Sequence, residues 1–328
     1  MKKIRLIAIL VIGVLFFCNA LDIFSAPVSE NPDSIRQLLT KPYQIKQLLS
    51  DSDRLLESGD YEGAISGYKK VIALDSLSFH AWYNQGRASV AIMNDEQALA
   101  CFTKAVAIEP ENLEALNGRG AAYFNLQLYQ NAMEDFKRCI TLDSQYYVAH
   151  YMLGRVWGRL ENFKQALISY QFAARINAEP QELWYNIGCV LSYLGRYKDA
   201  IEQFDKAMHL NPIYEKYKPD DIWLEKGYAL RKLEQFAEAE IYYMKVLELN
   251  KNQINENRAV SYYNLACIYS LQKLWERSFE SLKQSLEIAP NYALDVQSDE
   301  DLRGLINHTI YGKKISVLLG EIKKPSIK

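Results

Sequence analysis

The side chains best suited to proton transfer or metal ligation in this sequence are four histidines, at positions 80, 150, 209 and 308. No two lie four apart, as the paired histidines of a helical metal site would, so the sequence supports no metal centre. No Gly-x-Ser-x-Gly turn raises a serine nucleophile, and no Gly-x-x-x-x-Gly-Lys loop cradles a phosphate. Gly118-Arg119-Gly120 begins like a dinucleotide loop, but Tyr123 stands where a third glycine belongs. Carboxylates such as Glu134 and Asp135 are expected on outer helix faces, solvated. Cys101, Cys139, Cys189 and Cys267 show no Cys-x-x-Cys spacing and read as small apolar residues within helices. The residues therefore name no catalytic group, no cofactor and no metal. They point to a chain that is not an enzyme.

Charge narrows the reading further. The 328 residues carry a formal net charge of −2, and no basic stripe with interleaved aromatics suggests RNA or DNA. Tyrosine is frequent, at 23. It offers a large contact area with few rotatable bonds, which suits helix seams and protein interfaces.

The elements that must carry these residues announce themselves by a period. Gly86, Gly120, Gly154 and Gly188 are 34 apart, then Gly227 and Ala266 follow at steps of 39. Twelve residues behind runs a second series of small residues: Ala64, Ala98, Ala132, Ala166, Ala200, Ala239 and Ser278. An aromatic or Leu lies four further on, from Tyr68 and Phe102 through to Leu282, and a small or β-branched residue three beyond that. Steps of three, four and seven place residues on one helix face. Each unit therefore reads as two helices. Gly and Ala at their crossing allow close approach, and the aromatic fills the seam with the next unit. Asn94-Asp95 supplies the turn and N-cap, and Pro110, Pro212 and Pro290 close units.

The run Trp82-Tyr83-Asn84-Gln85-Gly86, with Ala98, Phe102, Ala105 and Pro110 behind it, resembles the tetratricopeptide repeat, as does Trp184-Tyr185-Asn186-Ile187-Gly188 with Tyr197, Ala200, Phe204, Ala207 and Pro212. Seven repeats are placed at 45–78, 79–112, 113–146, 147–180, 181–214, 220–253 and 259–292. The resemblance implies an all-α, right-handed superhelical solenoid of helix-turn-helix units. Insertions at 215–219 and 254–258 should bulge as loops. Residues 27–44 read as a linker with a short helix reaching about Leu39. Residues 293–328 read as a capping helix, from the Ser298–Asp301 cap towards Ile310, with a basic tail at 323–328.

In this family the first helices line a concave groove. Positions one, two and five after the anchor of each unit, Trp82 and its equivalents such as Trp184, and the turn beyond, imply partner-binding residues here: Tyr83, Asn84, Arg87, Asn117, Tyr151, Arg155, Arg159, Tyr185, Asn186, Tyr228, Tyr263 and Asn264, with Lys232. Asn84, Asn186 and Asn264 fall in the phase of an asparagine ladder, which Gly118, Met152 and Glu225 interrupt. About half of these positions are expected to serve packing within the repeats. The implied ligand is an extended or helical segment with apolar anchors and acidic character, held between the second and fifth repeats.

The first residues have their own logic. Lys2, Lys3 and Arg5 precede an apolar run from Leu6 to Phe17. This reads as a bacterial export signal within 1–26, cut after Ala20, lipidated at Cys18, or retained as a membrane anchor. The run is short for a span, which needs roughly 20 apolar residues. The sequence thus leads to an exported scaffold, periplasmic or bound to the cell envelope, that binds protein or peptide partners in complex assembly. Two other readings stand beside it: an accessory or regulatory subunit of an enzyme or of secretion or pilus machinery, and a peptidoglycan or glycan binder.

Overall fold

Asn94 shows how one unit is made. Its side-chain oxygen accepts the Gln97 N–H at 3.0 Å and so caps the helix Asp95–Ile108. Asp60, Asn112, Asn162 and Asn255 do the same for the helices that follow them. The computed structural model describes residues 32–210 and 219–322. The signal or anchor at 1–26, the first part of the linker, Pro212, most of the first insertion and the tail from 323 lie outside them.

The described chain divides into two compact units, one ending at Ala88 and the other beginning at Ser89. In the first, α1 (Pro32–Ser58) packs against α2 (Tyr61–Leu74), and α3 (Phe79–Ala91) begins. Ala64, Tyr68, Val71 and Ala81, all fully buried, form its core with Leu48, Leu49 and Leu55. The short helix expected to stop near Leu39 does not: α1 runs unbroken through Pro42 to Ser58 and includes the first helix of the first repeat. Proline removes one ladder hydrogen bond, and a helix 27 residues long absorbs that loss.

In the second unit the pairs follow in order: α4 (Asp95–Ile108), α5 (Leu113–Asn125), α6 (Tyr129–Leu142), α7 (Tyr147–Arg159), α8 (Phe163–Ile176), α9 (Gln181–Tyr193), α10 (Tyr197–Leu210), α11 (Pro219–Lys232), α12 (Phe236–Leu249), α13 (Glu256–Leu271) and α14 (Trp275–Ile288). Each helix packs on its neighbours in sequence, which is solenoid stacking. Among the described residues there is no strand.

The periodic glycines have a visible cause. A Cβ on Gly120 would lie 2.8 Å from the Phe136 ring, one on Gly154 2.6 Å from Tyr170, and one on Gly227 2.9 Å from Tyr243. The aromatic thus covers the glycine of its own unit. It also reaches the next unit, since a Cβ on Gly118 would meet Phe102 at 2.8 Å. In the last repeat serines replace the alanines. Ser278 donates to the Ala266 carbonyl and Ser285 to that of Ala259, at 2.7 and 2.8 Å, so both buried hydroxyls are satisfied.

Three further expectations are corrected. The second insertion is not wholly a loop: residues 256–258 form the first turn of α13, capped by Asn255. The helix expected from the Ser298–Asp301 cap towards Ile310 is instead two short turns, Pro290–Leu294 and Glu300–Leu302, then α15 (Arg303–Ile306) and α16 (Tyr311–Ile322). Leu302, Leu305, Ile315 and Leu319 from these pieces close the core over Leu282 and Leu286. Asp135 is not solvated: it is 5% exposed and takes Arg119 in a two-point ion pair at 2.6 and 2.8 Å. Glu134 is exposed, as expected.

Candidate functional site

Helices α5, α7, α9, α11 and α13 are the first members of their pairs, and their side chains line two adjoining pockets in the second unit. The first, of about 550 Å³, is bordered by Phe124, Tyr151, Arg155, Arg159, Asn186 and Tyr193. Arg155 and Arg159 stand one turn apart on α7, on the same face. The Arg155 guanidinium lies over the Phe124 ring, 4.7 Å from its centre, with one N–H toward the Met152 sulfur at 3.6 Å. Among the described residues neither arginine meets a carboxylate in an ion pair. Phe163 and Tyr193 stack face to face at 4.5 Å and form an apolar wall. Asn186 donates to the Tyr151 hydroxyl at 3.1 Å and to the Glu182 carbonyl at 2.8 Å, leaving its own carbonyl oxygen for a ligand.

The second pocket, of about 380 Å³, is lined by Ser192, Tyr193, Tyr197, Glu225, Tyr228 and Asn264. Tyr197 and Tyr228 meet edge to face at 6.3 Å. Burial, and then the neighbouring Asp221, push the Glu225 carboxyl above its usual range. Tyr193 joins this pocket to the first.

Four of the twelve expected partner-binding residues, Tyr151, Arg155, Arg159 and Asn186, come together in the first pocket, and Tyr228 and Asn264 in the second. The others do different work. Tyr185 packs on Phe204 at 6.1 Å and shares a hydrogen bond with Cys189, and burial raises its phenol. It is a seam residue rather than an exposed contact. Tyr263 donates to Asp299 at 3.0 Å. Asn117 has its carbonyl oxygen buried, with no hydrogen-bond partner among the described residues. In the first unit Tyr83 stacks on Phe79 at 5.7 Å. Asn84, only 6% exposed, bonds His80 and accepts from Arg87 at 3.0 Å. The asparagines therefore do not form a free ladder. Asn186 and Asn264 spend an N–H on the carbonyl four residues back, a bond that any helical asparagine can make.

Sequence reasoning missed Phe124, Phe163, Tyr193 and Ser192. Three of them sit eight or nine residues after the anchor, the next turn of the same helix face, and that register would have found them. Cys267, Asp299 and Asp301 bring ligand-type atoms within 4.8 Å of one another. There Arg231 bonds Asp301 and Tyr263 bonds Asp299, so a guanidinium already supplies the positive charge.

Models of the tetratricopeptide repeat match residues 79–112, 113–146, 182–214 and 220–291, together more than half of the chain. The chain belongs to the tetratricopeptide-repeat family. Its repeats at 45–78 and 147–180 lie outside those matches, yet the helix pairs there pack as the others do. Repeats of this family typically mediate protein–protein interactions. No curated protein matches the chain. Among solved structures it is similar to the C-terminal part of a tetratricopeptide repeat-containing protein from Cytophaga hutchinsonii, at 16% identity and TM-score 0.59, over 78% of this chain and 99% of that one. It is also similar to a tetratricopeptide repeat protein from Parabacteroides merdae, at 16% identity and TM-score 0.58, over 86% and 100%. A third is PilF of Pseudomonas aeruginosa, at 17% identity and TM-score 0.55, over 64% and 93%. At these identities the likeness is one of fold.

Proposed function

We propose that this tetratricopeptide array is a non-catalytic scaffold, and that the pocket across α5, α7 and α9 holds a short acidic segment of a partner protein. Arg155 and Arg159 carry the reading: two guanidinium groups on one helix face, in no ion pair among the described residues, between aromatic walls and outnumbering Glu182, the one acidic residue of the pocket lining. A carboxylate of the ligand would bridge the arginines, and a neighbouring apolar side chain would lie against Phe163 and Tyr193. The Asn186 carbonyl oxygen would accept a backbone N–H of the bound segment. The array's own C-terminal part gives a precedent for the charge pattern, because Arg231 and Lys232 hold Asp301 at the equivalent turn of α11.

The basic start and apolar run at Lys2–Phe17 support export, so the partner belongs to a cell-envelope complex. Among the described residues no helix is long and apolar enough to cross a membrane. Fluorescence anisotropy with labelled pentapeptides carrying an acidic residue beside an aromatic one tests the site. Binding should weaken at least tenfold in Arg155→Ala/Arg159→Ala and fall with added salt. Equal binding by the double variant would place the partner elsewhere on the chain.

A further inference from the structure

The second pocket has the opposite electrostatic character from the first, although Tyr193 borders both. Glu225 is only partly accessible, and no hydrogen bond or ion pair among the described residues engages it. The neighbouring charge that acts on it is another carboxylate, Asp221. The cations of the same helix are committed: Lys226 to Asp205, and Arg231 with Lys232 to Asp301. A desolvated carboxylate is tolerated where a cation or a set of donors compensates it, and among the described residues neither is bonded to Glu225.

A second observation points the same way. Ser192 is 7% exposed, lines this pocket, and its hydroxyl has no partner among the described residues. Buried hydroxyls nearly always find one. Tyr193, Tyr197 and Tyr228 provide ring surface around the two unpaired groups. Arg231 and Lys232 already lie over the Tyr228 ring, at 5.4 and 5.7 Å, so Tyr228 offers only apolar surface. The Tyr193 and Tyr197 rings beside a free carboxylate, with a hydroxyl oxygen able to accept, make a receptor for an organic cation. Among the described residues the carboxylates and thiol close enough together to hold a metal ion are Cys267, Asp299 and Asp301, outside this pocket.

We propose that this pocket receives the side chain of a lysine from a protein partner, its ammonium on Glu225 and Ser192 and its methylene stem against Tyr197 and Tyr228. The proposal deepens the scaffold reading by adding a second recognition point, and it does not depend on the acidic segment at Arg155 and Arg159. A partner that used both pockets would carry an acidic residue and a lysine in one segment, and that pairing would set its direction along the groove.

The test is an NMR titration of the full chain, labelled at tyrosine, with Nα-acetyl-lysine N-methylamide. Saturable shifts are expected at Tyr197 and Tyr228, with affinity at least tenfold weaker in Glu225→Gln. The Nε-acetylated probe should leave the signals unmoved. Alanine N-methylamide, which offers only a free α-amine, should bind more weakly than the lysine probe. Equal binding by the Nε-acetylated probe, tighter binding by the alanine amide, or an undiminished response in Glu225→Gln each overturns the proposal. If the lysine probe fails while acidic peptides still bind at Arg155 and Arg159, the cation site falls and the scaffold reading stands. If the lysine probe binds and the acidic peptides do not, the cation site stands alone.

Discussion

At the scale of single residues the groove trades stability for charge. The Glu225 carboxyl is raised by burial and by Asp221, so the folded chain holds this proton more tightly than the unfolded one. Between the unfolded carboxylate value, about 4.3, and the higher folded value, the native state binds more protons. Stability must then fall as pH rises through that window. Glu225→Gln removes the charge while keeping the shape. The variant should melt higher than the parent at pH 7, and the difference should vanish below about pH 4. Melting curves at pH 3.5, 5.5 and 7 check this, and a variant less stable at pH 7 would contradict it. Asp135 is the opposite case, a buried carboxylate bonded twice by Arg119. Asp135→Ala leaves that guanidinium without its partner and should lower stability by about 3 kcal/mol, read from urea unfolding. The sequence could not separate these carboxylates. Both are acidic residues on helices, and only the neighbours Arg119 and Asp221, brought in by packing, decide which is satisfied.

At the scale of the helix pair, much was legible. The glycine, alanine and aromatic series are direct prints of the α–α crossing, and they placed the pairs because each residue type is forced there by contact. One further series is hidden in residue type. The turn after each first helix contains a residue with positive φ: Gly59, Met93, Gln127, Glu161, Gly195, Glu234 and Lys273, at φ between 57° and 85°. The backbone repeats although the side chains do not, so no motif reveals it. This conformation costs non-glycine residues about 1 kcal/mol. Gln127→Gly and Lys273→Gly should therefore each raise stability by roughly 0.5–1 kcal/mol. Gly195→Ala should lower it by a similar amount, since a Cβ there meets nothing within 4 Å and only the backbone resists. Gly154→Ala acts through contact instead. Its Cβ would lie 2.6 Å from Tyr170, so the pair must separate, and a loss of about 2 kcal/mol is expected in the same assay. A Gly154→Ala chain as stable as the parent would remove contact as the reason for the glycine period.

At the scale of the whole second unit, the end of the array was only half legible. Leu302 and Leu305 cover the last repeat, but the single helix expected from Ser298 did not form. Asp299 turns its side chain to the Asp301 N–H at 2.9 Å and to the Tyr263 hydroxyl, and so starts only a short turn. The longer covering helix is α16, whose Ile315 and Leu319 are almost fully buried. A solenoid distributes stability by nearest neighbours, so the loss of a cap should be felt by the last repeat and fade with distance. A chain ending at Ser298 would expose Leu282 and Leu286, which are now 0% and 1% exposed, and would leave Arg231 without Asp301. Amide exchange in α13 and α14 should then speed by orders of magnitude, while α5 to α8 keep their protection. Asp301→Ala separates the two causes, because it keeps the apolar cover and removes only the ion pair. Arg231 is 7% exposed, so its unpaired charge should loosen α11 and α13 more than α14. Uniform loss of protection along the whole array, in either variant, would mean that the unit unfolds as one body and that the nearest-neighbour picture does not hold for it.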